Sequence, residues 1–271
     1  MKKLHSNSEW EKWGEIDPLF GVASWKDKQR DGPTPWTDDD FFKLGESDWK
    51  DFALHWERYG VDKDSCLEIG CGAGRITKQL ASTFVQTHAI DVSQSMLDYA
   101  QQRIDDASIA FYLSTGTDIP MPDNSVSSVF SVHVFQHFDS IDVADLYMKE
   151  IIRVLRPTGT MMIHLPILKW PPNSGLIKLC YEYQKQLGNL RAKTKRFLMN
   201  FGLVKPPMRE LSYPIEHFYR ELPRLGLEDI EVSIFATSSN GDPHSFIFAR
   251  KGQVQSPGSE IARGDVLTAS F

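Results

Sequence analysis

Leu67-Glu68-Ile69-Gly70-Cys71-Gly72-Ala73-Gly74-Arg75 joins a short apolar run to a cluster of glycines. Ser65 to Ile69 read as a short buried strand, Gly70 to Gly74 as a glycine-rich turn, and Arg75 to Ala81 as the helix that follows. Glycines at a strand-to-helix turn let a ligand come close to the backbone, and the helix N-terminus adds exposed N–H groups. The stretch is not a dinucleotide fingerprint. GxGxxG counted from Gly70 requires Gly or Ala at position 75, where Arg75 stands. It is not a Walker loop either, because no Gly-Lys-Ser/Thr follows.

Outward from this turn the chain alternates. Val85 to Ile90 read as a second strand closed by Asp91, and Ser93 caps a helix through Met96, Leu97, Tyr99 and Ile104. Ile109–Leu113, Val126–Val134 and Thr160–Leu165 are further strands, with a helix over Ala144–Leu155 ended by Pro157-Thr158-Gly159. A helix at Ile215–Leu225 and strands at Leu227–Phe235 and Ser245–Arg250 complete the pattern. Strands alternating with helices at this spacing predict an α/β fold, a doubly wound and mostly parallel sheet. Asp91 ends the second strand beside the glycine turn. An acid there can accept both ribose hydroxyls of an adenosine ligand, or simply cap the next helix, a task for which Ser93 competes.

Two additions flank this core. Residues 1–60 hold six of the seven tryptophans (Trp10, Trp13, Trp25, Trp36, Trp49 and Trp56), so they are expected to form an ordered helical extension that packs on the main domain. Thr37 before Asp38-Asp39-Asp40 predicts a helix start, with a break near Gly45 and a second helix through Trp49, Phe52 and Trp56. The main domain is placed at 61–252. Residues 166–212 interrupt the alternation between two proline pairs and carry nine Lys and Arg against two Glu, a local net charge of +7. This contrasts with −6 for the whole 271-residue chain. Such asymmetry marks an anionic partner, a membrane surface or a solvated helix face. Residues 253–271 read as a loose tail.

Composition narrows the classes. Hydrophobic residues at 41% and charged residues at 24% suit a domain with a core. The negative charge argues against a nucleic-acid partner. Met1 to Ser6 are not followed by an apolar stretch, so no signal peptide is expected, and a reducing cytoplasm is the expected compartment. Cys66, Cys71 and Cys180 contain no CxxC, so neither a disulfide framework nor a metal site is expected from them.

Taken together these motifs resemble the class I S-adenosylmethionine-dependent methyltransferases. Leu67 to Gly74 is similar to the family's first motif, and Asp91 to its ribose-binding acid. Thr115 to Asp123 resembles the loop after the third strand, and Val126 to His137 the fourth strand and its sequel. Arg153-Val154-Leu155-Arg156-Pro157-Thr158-Gly159-Thr160 resembles the family's "RVLRPGG" turn. The resemblance covers about residues 60–165, and 213–252 in outline. It implies a seven-stranded sheet with the last strand antiparallel and S-adenosyl-L-methionine as cofactor. It implies that Gly70 and Gly72 approach the methionine part, with Cys71 contributing backbone, and that Val92 and Met96 flank the adenine. Glu68, Gly116 and Val132 fall in the cofactor-binding set. Thr115 stands where most relatives carry an Asp near the adenine amino group. Arg75 is common in relatives and either orients the loop or serves packing.

Methyl transfer is an in-line displacement, in which the protein mainly supplies position and electrostatics. An oxygen or carbon acid acceptor also needs a base. His133 and His137, after the fourth strand, are the candidates, each set against a purely structural role. The expected acceptor is a small molecule, bearing carboxylate or phosphate if the basic insertion meets it. Protein or nucleic-acid methylation and a non-catalytic cofactor-binding scaffold are the alternatives. The Asn/Asp-Pro-Pro-aromatic motif of adenine methylation is missing after the fourth strand, where Ser131-Val132-His133-Val134 stands. The aromatic extension and the insertion are expected to cover the strand ends as a lid, with Trp36, Phe41 and Phe42 excluding water.

Overall fold

In a computed structural model the structure describes residues 4–167, 208 and 210–253. The nine cations of the basic insertion and the tail from 254 onward lie outside the described residues.

Seven strands form one sheet: β1 (Ser65–Ile69), β2 (Gln86–Asp91), β3 (Ile109–Leu113), β4 (Val126–Ser131), β5 (Leu155–His164), β6 (Leu227–Ala236) and β7 (Pro243–Lys251). Their order is β3-β2-β1-β4-β5-β7-β6. β1 pairs parallel with both β2 and β4, so the winding reverses between them. A doubly wound sheet opens a crevice at such a switch, outside the strand carboxyl ends. β7 pairs antiparallel with β5 and with β6 and is the reversed strand. The expected seven-stranded, mostly parallel fold is the one found.

The side chains follow the period of two that a sheet covered on both faces requires. Leu67, Ile69, Val129, Met161, Ile163 and Ile247 join one apolar cluster under α6 (Ile141–Val154) and α7 (Ile215–Arg224). Their neighbours Cys66, Phe130, Met162, Phe246 and Phe248 face the other way, into a cluster with Trp49, Phe52 and Trp56. Those three aromatics come from α3, a single helix over Asp38–Tyr59. Thr37 caps it by accepting from the Asp40 N–H, three acids fill its first turn, and Gly60 ends it in the left-handed conformation.

The expected break at Gly45 does not occur. A Cβ at that position would lie 2.2 Å from the Arg75 carbonyl oxygen, so Gly45 lets the helix pass close to the glycine loop. It is a contact point within one continuous helix. A consequence is that a division at residue 60 does not separate two packed units. α3 covers a face of the sheet, and burying each of its large aromatics is worth about 2–3 kcal/mol.

Ahead of α3 lie α1 (His5–Ile16) and α2 (Pro18–Val22), joined by Asp17, whose carboxylate accepts from the Phe20 N–H. Trp13, Leu19 and Phe41 pack with Ala73 and Met96, which ties this segment to the glycine loop and to α5 (Gln94–Arg103). α4 (Thr77–Ala81) follows the loop. Both ends of the insertion meet at the strand carboxyl edge, where Ile167 bridges Tyr213. The returning chain is tied to the turn after β4: the Leu211 N–H donates to Gln136 O at 2.7 Å, and the Tyr213 hydroxyl to Phe135 O at 2.7 Å. None of the helices among the described residues is long and apolar enough to cross a membrane.

Candidate functional site

At the β1–β4 switch a cleft of about 910 Å³, counting its open mouth, runs from the glycine loop to the residues after β4. This is the size range of small-molecule clefts, ~300–1,000 Å³. It is lined by twelve of the thirteen residues expected from the sequence: Glu68, Gly70, Cys71, Gly72, Arg75, Asp91, Val92, Met96, Gly116, Val132, His133 and His137.

Thr115 is the one left out. It is exposed, and its hydroxyl donates to Asp118 Oδ1 at 2.5 Å, closing a local turn. Its neighbour Ser114 lines the cleft instead, with its hydroxyl 3.3 Å from the Tyr147 hydroxyl.

The glycine turn is built for close approach. Gly70, Gly72 and Gly74 all have positive φ, and a Cβ on Gly70 would lie 2.3 Å from Val134 Cγ2. The expected exposed N–H groups are, however, already engaged. Gly70 and Cys71 both donate to Ile90 O, at 2.8 and 3.0 Å, and Gly72 donates to Asp91 Oδ2 at 2.8 Å. The loop thus offers shape more than free donors, because these bonds lock β1's exit onto β2.

Asp91 accepts a second bond from the Ser93 N–H at 2.9 Å, while the Ser93 hydroxyl caps α5 by accepting from Met96 N–H. The two readings of Asp91 are therefore separate: Ser93 is the cap, and the carboxylate faces the cleft. Burial pushes the Asp91 carboxyl up to about 6, against the backbone donors that lower it. Glu68, beneath the loop, accepts from the Thr77 hydroxyl at 2.6 Å, and burial pushes its carboxyl up to about 7. Burial likewise raises the Cys66 and Cys71 thiols, and both cysteines are free.

Arg75 is buried and ion-paired with Asp48 of α3. Asp48 also accepts from the Ser239 hydroxyl in the β6–β7 turn. This pair ties the residue that follows the glycine turn to helix α3.

Residues of the first two helices that were not expected in the cofactor-binding or catalytic set also line the cleft. Ser6, Asn7 and Trp10 of α1, with Gly21 and Val22 of α2, line it. Trp36, Phe41 and Phe42, expected to exclude water, do not. Phe41 lies in the core beside Ala73, and Lys78 sits over the Phe42 ring. Helix α1 is held by polar contacts to three elements. Asp139 accepts from the His5 and Ser6 N–H groups at 2.8 and 3.2 Å. Asn7 Nδ2 donates to Thr115 O at 2.6 Å, and the Ser95 hydroxyl to Glu11 at 2.6 Å.

After β4 the strand ends at Ser131, earlier than expected, and Phe135–His137 make a 3-10 turn. His137 stacks edge-on against Trp10, with ring centroids 4.8 Å apart, and lies 3.1 Å from the Gln136 amide. His133 adopts left-handed backbone, φ 60°, and meets two histidines from elsewhere: His164 at 4.8 Å and His244 at 5.0 Å between ring centroids. Burial, then neighbouring positive charge from His164 and Arg75, holds His133 well below the usual imidazole range.

The comparisons agree with this geometry. The family model described as "Methyltransferase domain" matches residues 67–163. The chain is 33% identical over 103 residues to the biotin biosynthesis bifunctional protein BioHC of Cellvibrio japonicus, covering 38% of this chain and 20% of that protein. It is 30% identical over 104 residues to a fatty-acid O-methyltransferase of Mycolicibacterium smegmatis, covering 36% of each. The chain thus spans from a fifth to about a third of the length of these curated relatives. Among solved structures it is similar to Haemonchus contortus phosphoethanolamine N-methyltransferase 1, bound to phosphoethanolamine and S-adenosylhomocysteine. The TM-score is 0.57 at 14% identity, over 95% of this chain and 50% of that one, a likeness of fold.

Proposed function

We propose that this chain, whose residues 67–163 match the methyltransferase domain model, is a class I S-adenosylmethionine-dependent methyltransferase that transfers a methyl group from S-adenosyl-L-methionine to a small-molecule acceptor. The observation that carries this is the single cleft at the β1–β4 switch, which brings together the glycine turn, Asp91 and the two histidines after β4.

The residues fit the cofactor. Gly70, Gly72 and Asp91 line the cleft together, and the buried Asp91 carboxylate, with lone-pair capacity beyond the bonds from the Gly72 and Ser93 N–H groups, can accept ribose hydroxyls. Val92 and Met96 supply an apolar wall for the adenine, and Asn7 and Ser114 stand in for the exposed Thr115 as polar groups on that side. When bound, the cofactor supplies an electrophilic methyl on a sulfonium. The protein's own part is to orient the acceptor and to exclude water, which can be worth several kcal/mol, up to about 7–11 in favourable intramolecular cases.

Of the two base candidates, His137 is favoured. Its ring is held between Trp10 and Gln136 on the cleft wall, whereas His133 has its basicity suppressed by burial. Helices α1 and α2 act as the lid, with α1 bridging the loops after β3 and β4. An acceptor bearing carboxylate or phosphate is favoured by the +7 segment that leaves and rejoins the fold at this rim. Relatives named for fatty acids and for phosphoethanolamine support the same class. The buried, unpaired Cys66 and Cys71 accord with a reducing cytoplasm.

The test is calorimetry of the full chain with S-adenosylhomocysteine, followed by methyl-transfer assays on a panel of fatty acids, phosphorylated amines and neutral controls. One-to-one binding is expected. Absence of binding would overturn the reading, and preference for the neutral controls would overturn the anionic acceptor.

A further inference from the structure

At the carboxyl edge of the sheet, three adjacent strands each deliver one histidine to the same point. His164 is the last residue of β5. His244 is the second residue of β7, which runs the opposite way and so begins at this edge. His133 lies two residues beyond the end of β4. One ring nitrogen from each lies within 4.8 Å of the others, and the three ring centroids are 4.8, 5.0 and 5.3 Å apart.

Several features of this cluster are costly for a protein that does not use it. His133 takes a left-handed backbone conformation, uncommon for a side-chain-bearing residue and a mark of functional sites. His164 is 5% exposed, and its Nδ1 has no hydrogen-bond partner. A buried ring nitrogen without a partner calls for an explanation. Neutral imidazole is the form that ligates metals.

We propose that His133, His164 and His244 form a three-imidazole site for a borderline divalent cation of the zinc class, set at the edge of the cleft. Imidazole nitrogens suit zinc, copper, iron and nickel, and leave the harder magnesium and calcium to oxygen ligands. Tetrahedral zinc at ~2.0–2.1 Å from each nitrogen needs nitrogens about 3.4 Å apart. From separations of at most 4.8 Å, each ring has to move inward by less than about 1 Å, within the reach of small side-chain rotations.

The charge around the site is balanced. Arg75, whose positive charge reaches His133 and His244, is paired with Asp48, which together with Asp242 places negative charge near His244. Because His133 belongs both to the cluster and to the cleft wall, three protein ligands leave a coordination position beside the cleft. An anionic oxygen or sulfur of the acceptor fits that position. This role for the ion rests on the proposed methyl transfer; the site itself does not.

The experiment uses the full chain without a polyhistidine tag, stripped of metal and titrated with cobalt(II), with zinc(II) added in competition. The expected result is one equivalent of cobalt giving the strong visible absorption of a low-symmetry nitrogen site, bleached by zinc. His164→Ala and His244→Gln should each weaken cobalt binding by at least ~100-fold, beyond what loss of an outer-shell partner costs. S-adenosylhomocysteine binding should stay unchanged in both. No visible band, or a band that survives in the variants, overturns the site. Should the buried His164→Ala chain not fold, His244→Gln at its half-buried position decides the matter. Cobalt binding in a chain that does not bind S-adenosylhomocysteine would sink the proposed function and leave the metal site standing. The reverse result would remove the metal site alone.

Discussion

The two ends of the cleft are made in opposite ways. At the β1–β2 end, a carboxylate and a tight backbone turn satisfy one another, with Asp91 accepting from Gly72 and Ser93 and the loop hung on Ile90 O. At the β4–β5–β7 end, imidazoles gather with a ring nitrogen left unpaired. Burial acts on both, but it pushes the acids Asp91 and Glu68 up and the bases His133 and His164 down. Burial thus works against the charged form at each end. Recognition groups at the first end are preorganised by their own bonds, while those at the second await a partner.

The largest expected effect falls on the first end. Asp91→Ala removes two charge-assisted hydrogen bonds to ribose, each worth ~1.5–3 kcal/mol, so affinity for S-adenosylhomocysteine should fall about 10²–10⁴-fold by calorimetry. Unchanged affinity would erase the contrast between the ends.

Asp91→Asn probes the same residue through stability. The folded-state value of about 6 is raised above the ordinary 3.8, so the native chain binds more protons between these limits and its stability falls as pH rises across them. The Asn variant lacks this cost. In the unliganded state it should gain on wild type from about pH 4 to 6, reach up to roughly 3 kcal/mol, and level off above. Paired urea melts at pH 4.5 and 7.5 check this, and a constant difference would rule out the buried-acid account.

At the other end, His137→Ala should lower turnover by about 10²-fold if the acceptor needs a base, with cofactor affinity preserved. Rates under single-turnover conditions separate this from product release. Full activity would make catalysis one of positioning alone. The smallest effect is expected between the ends: Trp10→Ala should raise the cofactor's dissociation rate by several-fold in stopped flow, because that ring lines the cleft and its buried contact is worth about 1–2 kcal/mol.

How much of this was legible follows from how each part is encoded. The glycine turn is a contiguous string whose residue types are dictated by local backbone geometry, and Asp91 sits one strand later, so both could be read directly. The alternating strands announced themselves by apolar runs. The histidine cluster could not be read, because His133, His164 and His244 are separated by a helix and by the insertion and meet only through strand order. Two further misses have local causes. Gly45 looks like a helix breaker but answers to the Arg75 backbone, a tertiary demand that overrides propensity. Ser6 and Asn7 are polar residues with no periodic signal, and their place at the cleft is set by the long-range tie from α1 to Asp139. The signal that existed, an aromatic-rich segment, showed that the extension is ordered but not which aromatics face the cleft.

Helix α1 has one more consequence. Among the described tryptophans, Trp10 is the one on the cleft wall, and it rests edge-on against His137, an imidazole able to quench indole emission. The chain therefore carries its own optical gauge. A ligand that fills the cleft lies against Trp10 and its imidazole neighbour. A change in tryptophan emission on adding ligand, abolished in Trp10→Phe, would report occupancy and lid position in one signal, without any label.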